Sequence, residues 1–135
     1  MTLQFHVLGT PKPQGSKRHI GRGVMIESCK ALRPWRDSVA WAAREAMQQQ
    51  GWEKASGAVA LTLAYGFRRP KSSKREFPTV KPDIDKLERA VLDAMTTAGV
   101  YTDDAVVVEV RKSKYYCTAE QPEGLAVVVR RMEEK

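Results

Sequence analysis

The chain has 135 residues, with 23 Lys+Arg against 16 Asp+Glu, a formal net charge of +7 and a sequence pI near 9.6. That length suits one domain spanning residues 1–135, able to bury about two-thirds of its unfolded surface with no disulfide or zinc. No apolar run approaches the ~20 residues of a membrane span and no charged segment leads into an apolar core at the N-terminus, so a cytoplasmic protein is expected, and the basic charge predicts a polyanion partner, nucleic acid above all.

In chain order, Met1 to Gly9 alternates weakly through Leu3, Phe5 and Val7, which predicts a first strand ending at the Gly9-Thr10-Pro11 turn. Pro11 to Arg18 reads as an irregular loop rich in donors, and Arg22 to Ile26 as a short strand or hairpin arm. Ser28 is a candidate N-cap for a helix from about Cys29 to Gln50, with Trp35, Val39, Ala42 and Ala46 on one stripe and Pro34 near its first turn. From Gly57 the period becomes two: Val59, Leu61, Leu63, Tyr65 and Phe67 share one face of a strand.

Arg68 to Val80 is a polar, basic loop. A second helix is expected over Asp83–Ala98, with Leu87, Val91, Ala94 and Ala98 inward and Gly99 as its C-cap. Ala105–Tyr116 and Gly124–Met132 read as two more strands. The expected fold is α+β: a mixed sheet of three to five strands packed by two helices. Cys29 and Cys117 form no CxxC and are expected to be reduced, partly buried thiols. His6 and His19 lack neighbouring partners and read as bystanders. Trp35 belongs to the core stripe, while the pattern leaves Trp41 and Trp52 undecided.

The chemistry concentrates at Pro82-Asp83-Ile84-Asp85-Lys86-Leu87-Glu88-Arg89 and Thr102-Asp103-Asp104. Carboxylates on a basic, phosphate-binding surface repel the ligand unless a divalent cation lies between them, as in a metal-dependent nuclease. Taken singly, Asp83 is an ordinary N-cap and Asp85 an ordinary partner of the helix dipole. The second acidic pair, Asp103-Asp104, is ordinary as a turn but also well placed to give a third metal ligand, and Arg89, one turn beyond Asp85, adds a phosphate clamp. Three basic clusters complete the pattern: residues 12–36, Arg68 to Arg75, and Arg111-Lys112-Lys114. Lys12, Lys17, Arg18, Arg69, Lys86, Lys112 and Lys114 are the expected DNA contacts, with Tyr116 on the strand face of Lys112 and Lys114.

The same residues resemble the RusA family of Holliday-junction resolvases. The stretch Pro82 to Ala94 is similar to the family's DxD helix, Asp103-Asp104-Ala105-Val106-Val107 to the turn that follows it, Pro11 to Arg18 to its basic loop, and Trp35 to Val39 to its aromatic-Arg segment. The resemblance implies a homodimeric crossover junction endodeoxyribonuclease that cuts four-way DNA junctions with Mg²⁺ or Mn²⁺. It implies Asp83, Asp85 and Asp104 as metal ligands, and places Arg89 where some members carry Lys.

Two further classes stay open on the residues alone. One is a non-catalytic basic nucleic-acid-binding module; the other is a basic assembly protein whose acids only cap a helix. A helix over Asp83–Ala98 would be ~24 Å long at about 1.5 Å per residue. The five residues Gly99 to Asp103 reach at most about 17 Å. A site joining Asp83 and Asp85 of one subunit to Asp104 of the other is the expectation, and a return within one subunit stays open if the helix is shorter or the loop nearly straight.

Overall fold

The computed structural model describes residues 1–15, 17–19, 25–27 and 30–132, with backbone alone for 17–19 and 25–27. Strand β1 (Thr2–Leu8) buries Leu3 and Val7, as its alternation requires. Short strands β2 (Lys17–His19) and β3 (Met25–Glu27) pair antiparallel as a separate ribbon. Helix α1 (Leu32–Gln50) buries Trp35, Val39, Ala43 and Ala46, with Pro34 inside its first turn.

Strand β4 (Val59–Phe67), helix α2 (Ile84–Ala98), strand β5 (Val107–Tyr116) and strand β6 (Gly124–Arg131) follow. The main sheet is mixed, in the order β1-β6-β4-β5. Strand β6 runs antiparallel to both β1 and β4, and β4 runs parallel to β5. The parallel pair requires a crossover, which α2 supplies. Val59, Leu61, Leu63 and Tyr65 face the helices and form one core with Leu87, Val91 and Met95 of α2 and Trp35 and Val39 of α1. The opposite sheet face is open, with Thr62 and Arg111 exposed on it.

This is the α+β architecture that the periodicity predicts. Three local expectations change. Lys17 and Arg18, read as loop, belong to β2, because backbone pairing with β3 overrides their weak strand propensity. The first helix begins at Leu32, with Ala31 at its N-cap position and no side-chain cap; Ser28 and Cys29 lie outside the described residues. Asp104–Val106 form one turn of 3-10 helix before β5, with the Asp103 carboxylate accepting from the Ala105 N–H at 3.1 Å.

Two of the three tryptophans are core. Trp35 is buried, and Trp52 is buried with its indole N–H donating to the Val100 carbonyl at 2.9 Å and the Arg131 guanidinium 4.2 Å over its ring. Trp41 is exposed.

Candidate active site

Asp83 occupies the N-cap position of α2 in extended backbone (φ −70°, ψ 142°), yet its side chain makes no capping hydrogen bond. The usual task of an N-cap acid is to accept from a first-turn N–H. Here the carboxylate is exposed and makes no bond to its helix. Asp85, in the first turn, is exposed as well, and both sit at the positive end of the helix. They share a hollow of about 480 Å³ with Phe77, Thr79 and Lys114.

Lys114 fixes the approach to this hollow. Its ammonium donates to the Val80 carbonyl at 2.8 Å and to the Pro82 carbonyl at 2.9 Å, tying the entry to α2 onto β5. Lys112, two residues earlier on the same strand face, pairs with Glu88 of α2 at 3.2 Å. Both lysines expected to meet DNA are thus engaged inside the chain, where they hold α2 against the sheet edge. Arg69 stacks its guanidinium 5.0 Å over the Tyr116 ring.

The loop after β1 docks along the other flank of α2. The Gln14 N–H donates to the Lys86 carbonyl at 3.0 Å, and the Gln14 side-chain amide donates to the Asp93 carboxylate. Gly15 adopts φ +105°, and a Cβ there would stand 2.9 Å from an Arg89 guanidinium nitrogen, so the backbone lies directly against Arg89. The docked loop brings Lys12 into a second hollow, about 490 Å³, together with Lys81, Lys86 and Asp83. Asp83 therefore lies between two hollows edged by cations. The side chains of Lys17 and Arg18 lie outside the described residues.

Asp104 is elsewhere. Its carboxylate accepts from the hydroxyl of Thr96, in the last turn of α2. The 13 residues from Asp83 to Thr96 span about 20 Å at ~1.5 Å per residue, the whole length of the helix. Among the described residues of one chain, no group of three or more Asp, Glu, His or Cys side chains is placed to hold a metal. Two of the three expected ligands come together, and the third is held at the opposite end.

Two phenols, Tyr65 and Tyr101, are buried in the core that α2 packs against. Burial, with Glu88 nearby, holds the Tyr65 phenol well above the ordinary tyrosine range. Burial, then Asp104, does the same for Tyr101, whose hydroxyl donates to the Leu92 carbonyl at 3.1 Å.

Residues 8–130 match the family model described as Endodeoxyribonuclease RusA. The chain belongs to the RusA family. The matched span runs from the end of β1 to Arg130 and takes in both hollows, Asp104 and every strand of the main sheet except most of β1. RusA-family proteins are endodeoxyribonucleases that act on branched DNA, and this chain is a nuclease of that class. No curated protein matches the chain at a significant level.

Sequence reading passed over Gln14, Lys81, Asp93 and Thr96. Asp93 had a detectable signal, since it repeats the Asp85–Arg89 spacing one turn further along the helix. Gln14 and Thr96 had none: each matters through a partner 79 and 8 residues away.

Proposed function

We propose that this RusA-family chain is a Mg²⁺-dependent crossover junction endodeoxyribonuclease, with Mn²⁺ able to substitute, that resolves four-way DNA junctions by paired, symmetric phosphodiester hydrolysis in recombination and repair. One observation carries the reading. The Asp83 carboxylate is disengaged from its helix and stands beside Asp85 in a cleft whose rims carry Lys12, Lys81 and Lys86. The donor chemistry fits the metal, because Mg²⁺ takes one or two carboxylates and fills its remaining positions with water and substrate phosphate oxygens.

Asp83 and Asp85 would hold the cation, and Asp104, which lies at the far end of α2 within one chain, would join them as the third carboxylate from a second subunit. When bound there, Mg²⁺ supplies a water of lowered pKa and neutralises charge on the phosphoryl oxygens. Arg89 clamps the non-bridging phosphate oxygens bidentately and keeps its charge through the reaction. It orients the phosphate and does not donate a proton. Lys12, Lys17, Arg18, Arg69 and Lys86 neutralise flanking phosphates, which fixes the register of the strand without reading its sequence. Lys112 and Lys114 contribute by positioning α2. A four-way junction offers two symmetry-related strands, and a homodimer offers two equivalent sites.

The test is cleavage of four-way junction, duplex and single-stranded DNA with Mg²⁺ and with EDTA. Asp83→Asn and Asp85→Asn should each abolish cleavage while junction affinity stays equal or tightens, since negative charge beside phosphate is removed. Cleavage that persists in either variant, or in EDTA, overturns the catalytic assignment. Binding without cleavage in the native protein would favour a non-catalytic DNA-binding module.

A further inference from the structure

Asp83 borders two hollows whose chemistry differs. The hollow toward the loop after β1 is edged by Lys12, Lys81 and Lys86, which suits phosphate. In the hollow on the Asp85 side the cation is Lys114, and its ammonium already donates to the carbonyls of Val80 and Pro82. The rest of that hollow, beyond the two aspartates, is formed by Phe77, Pro78, Thr79 and Ile84. A phosphate gains little on such a surface, whereas a flat apolar group gains a ring to lie on.

Phe77 is 61% exposed while Pro78 beside it is buried, so this loop turns its proline inward and leaves the larger apolar ring in water. The backbone around the ring is tied down. The Thr79 N–H donates to the Phe77 carbonyl at 2.9 Å, and Lys114 fastens Val80 and Pro82 to β5 immediately afterwards. The segment leading to Phe77 carries Arg68, Arg69, Lys71, Lys74 and Arg75 against Glu76 alone. An aromatic ring at the end of a basic run, presented beside the Asp83–Asp85 pair, suits a strand whose base stacks on the ring while its backbone follows the cations.

We infer that the Phe77 side of this hollow, with Ile84, seats one unstacked nucleobase of the strand that is cut at Asp83 and Asp85. The inference rests on the nuclease reading for the position of the scissile phosphate, and on Phe77 and its hollow for the base. In continuous duplex every base is stacked on both sides and paired, so drawing one out is costly. At a branch point the strand leaves one arm for another and the stack is interrupted, which makes the transfer of a base onto Phe77 far less costly. Stacking uses the flat face that every base possesses, so this seat selects the branch rather than a sequence.

The test is photo-crosslinking with 5-iodouracil, which on irradiation joins to an aromatic ring in contact with it. Four-way junctions carrying this base at successive nucleotides around the branch point are irradiated with the native protein, in Mg²⁺ and in EDTA, and the joined peptide is read by mass spectrometry. A crosslink to Phe77 is expected at a nucleotide of the branch point and not in uninterrupted duplex. Phe77→Tyr should keep both the crosslink and the native rate of junction cleavage. Phe77→Leu keeps the apolar bulk without the ring; it should lose the crosslink and cleave junctions at least about tenfold more slowly, with thermal stability unchanged because the ring is exposed. No crosslink to Phe77 at any position, or a Leu variant that cleaves at the native rate, overturns the base seat. An equal yield in uninterrupted duplex overturns its selection of the branch. A crosslink to Phe77 in a protein that never cleaves with Mg²⁺ would instead remove the nuclease reading and leave the base seat standing.

Discussion

The Thr96 hydroxyl donates to the Asp104 carboxylate, joining the last turn of α2 to the 3-10 turn that precedes β5. This bond fixes where Asp104 points, and it does so about 20 Å along the helix from Asp83. Thr96→Val keeps the shape and removes the donor. We expect junction cleavage to fall at least tenfold, with a higher Mg²⁺ requirement and a stability loss of about 1 kcal/mol. Thr96→Ser should restore the Mg²⁺ dependence. A Val variant with native Mg²⁺ titration would show that the hydroxyl does not position Asp104.

Gly15 and Arg89 should behave as one unit. An alanine at position 15 places its Cβ 2.9 Å from the guanidinium and holds a left-handed φ of +105°. Gly15→Ala should cost about 1 kcal/mol of stability from the backbone alone and should lower cleavage by displacing Arg89. In a double-mutant cycle on cleavage, Gly15→Ala should add little to Arg89→Ala. Full additivity would mean that the loop acts by some route other than Arg89.

Replacing both Lys17 and Arg18 by Ala should weaken junction binding and flatten its dependence on salt. Two phosphate contacts at about 0.9 each would reduce the log–log slope by up to about 1.8. Affinity measured over a salt series decides this, and an unchanged slope would place both side chains away from the backbone of the DNA.

Tyr65 and Tyr101 are fully buried and kept neutral in the folded chain. Their folded pKa values lie above the unfolded value of about 10, so the stability they contribute is complete below pH ~10 and is lost as pH rises beyond it. Each should add up to about 1.4 kcal/mol per pH unit to the alkaline decline. Denaturant unfolding across alkaline pH should show a shallower decline for Tyr65→Phe, at little cost at neutral pH, since no hydrogen-bond partner of the Tyr65 hydroxyl occurs among the described residues. An unchanged decline would assign the alkaline loss to other groups.

Much of the candidate site was legible because its residues are close in sequence. Asp83, Asp85 and Arg89 lie within two helical turns, and Pro82 and the run Leu87, Val91, Ala94 locate that helix and its start. The intrachain partners of Lys112 and Lys114 were not legible. A basic strand face looks the same in sequence with or without a crossover helix packed against it, and the partners are supplied by Glu88, Val80 and Pro82 arriving opposite it.

The sequence by itself determined the local structure and the chemical inventory: strands and helices through periods of two and 3.6, the stop at Gly99, the basic surface and the paired aspartates. These are properties of neighbours along the chain. The separation of Asp83 from Asp104 within one chain is already expected from helix and loop lengths; what only the tertiary structure decided is that β4 and β5 run parallel, so that α2 is the crossover between them, and that Thr96 holds Asp104 at the far end of that helix. The physical reason is that a right-length helix must return the chain to the starting edge before a parallel strand can begin. Residues on either side of that helix are thereby separated by its full rise, however near they stand in sequence.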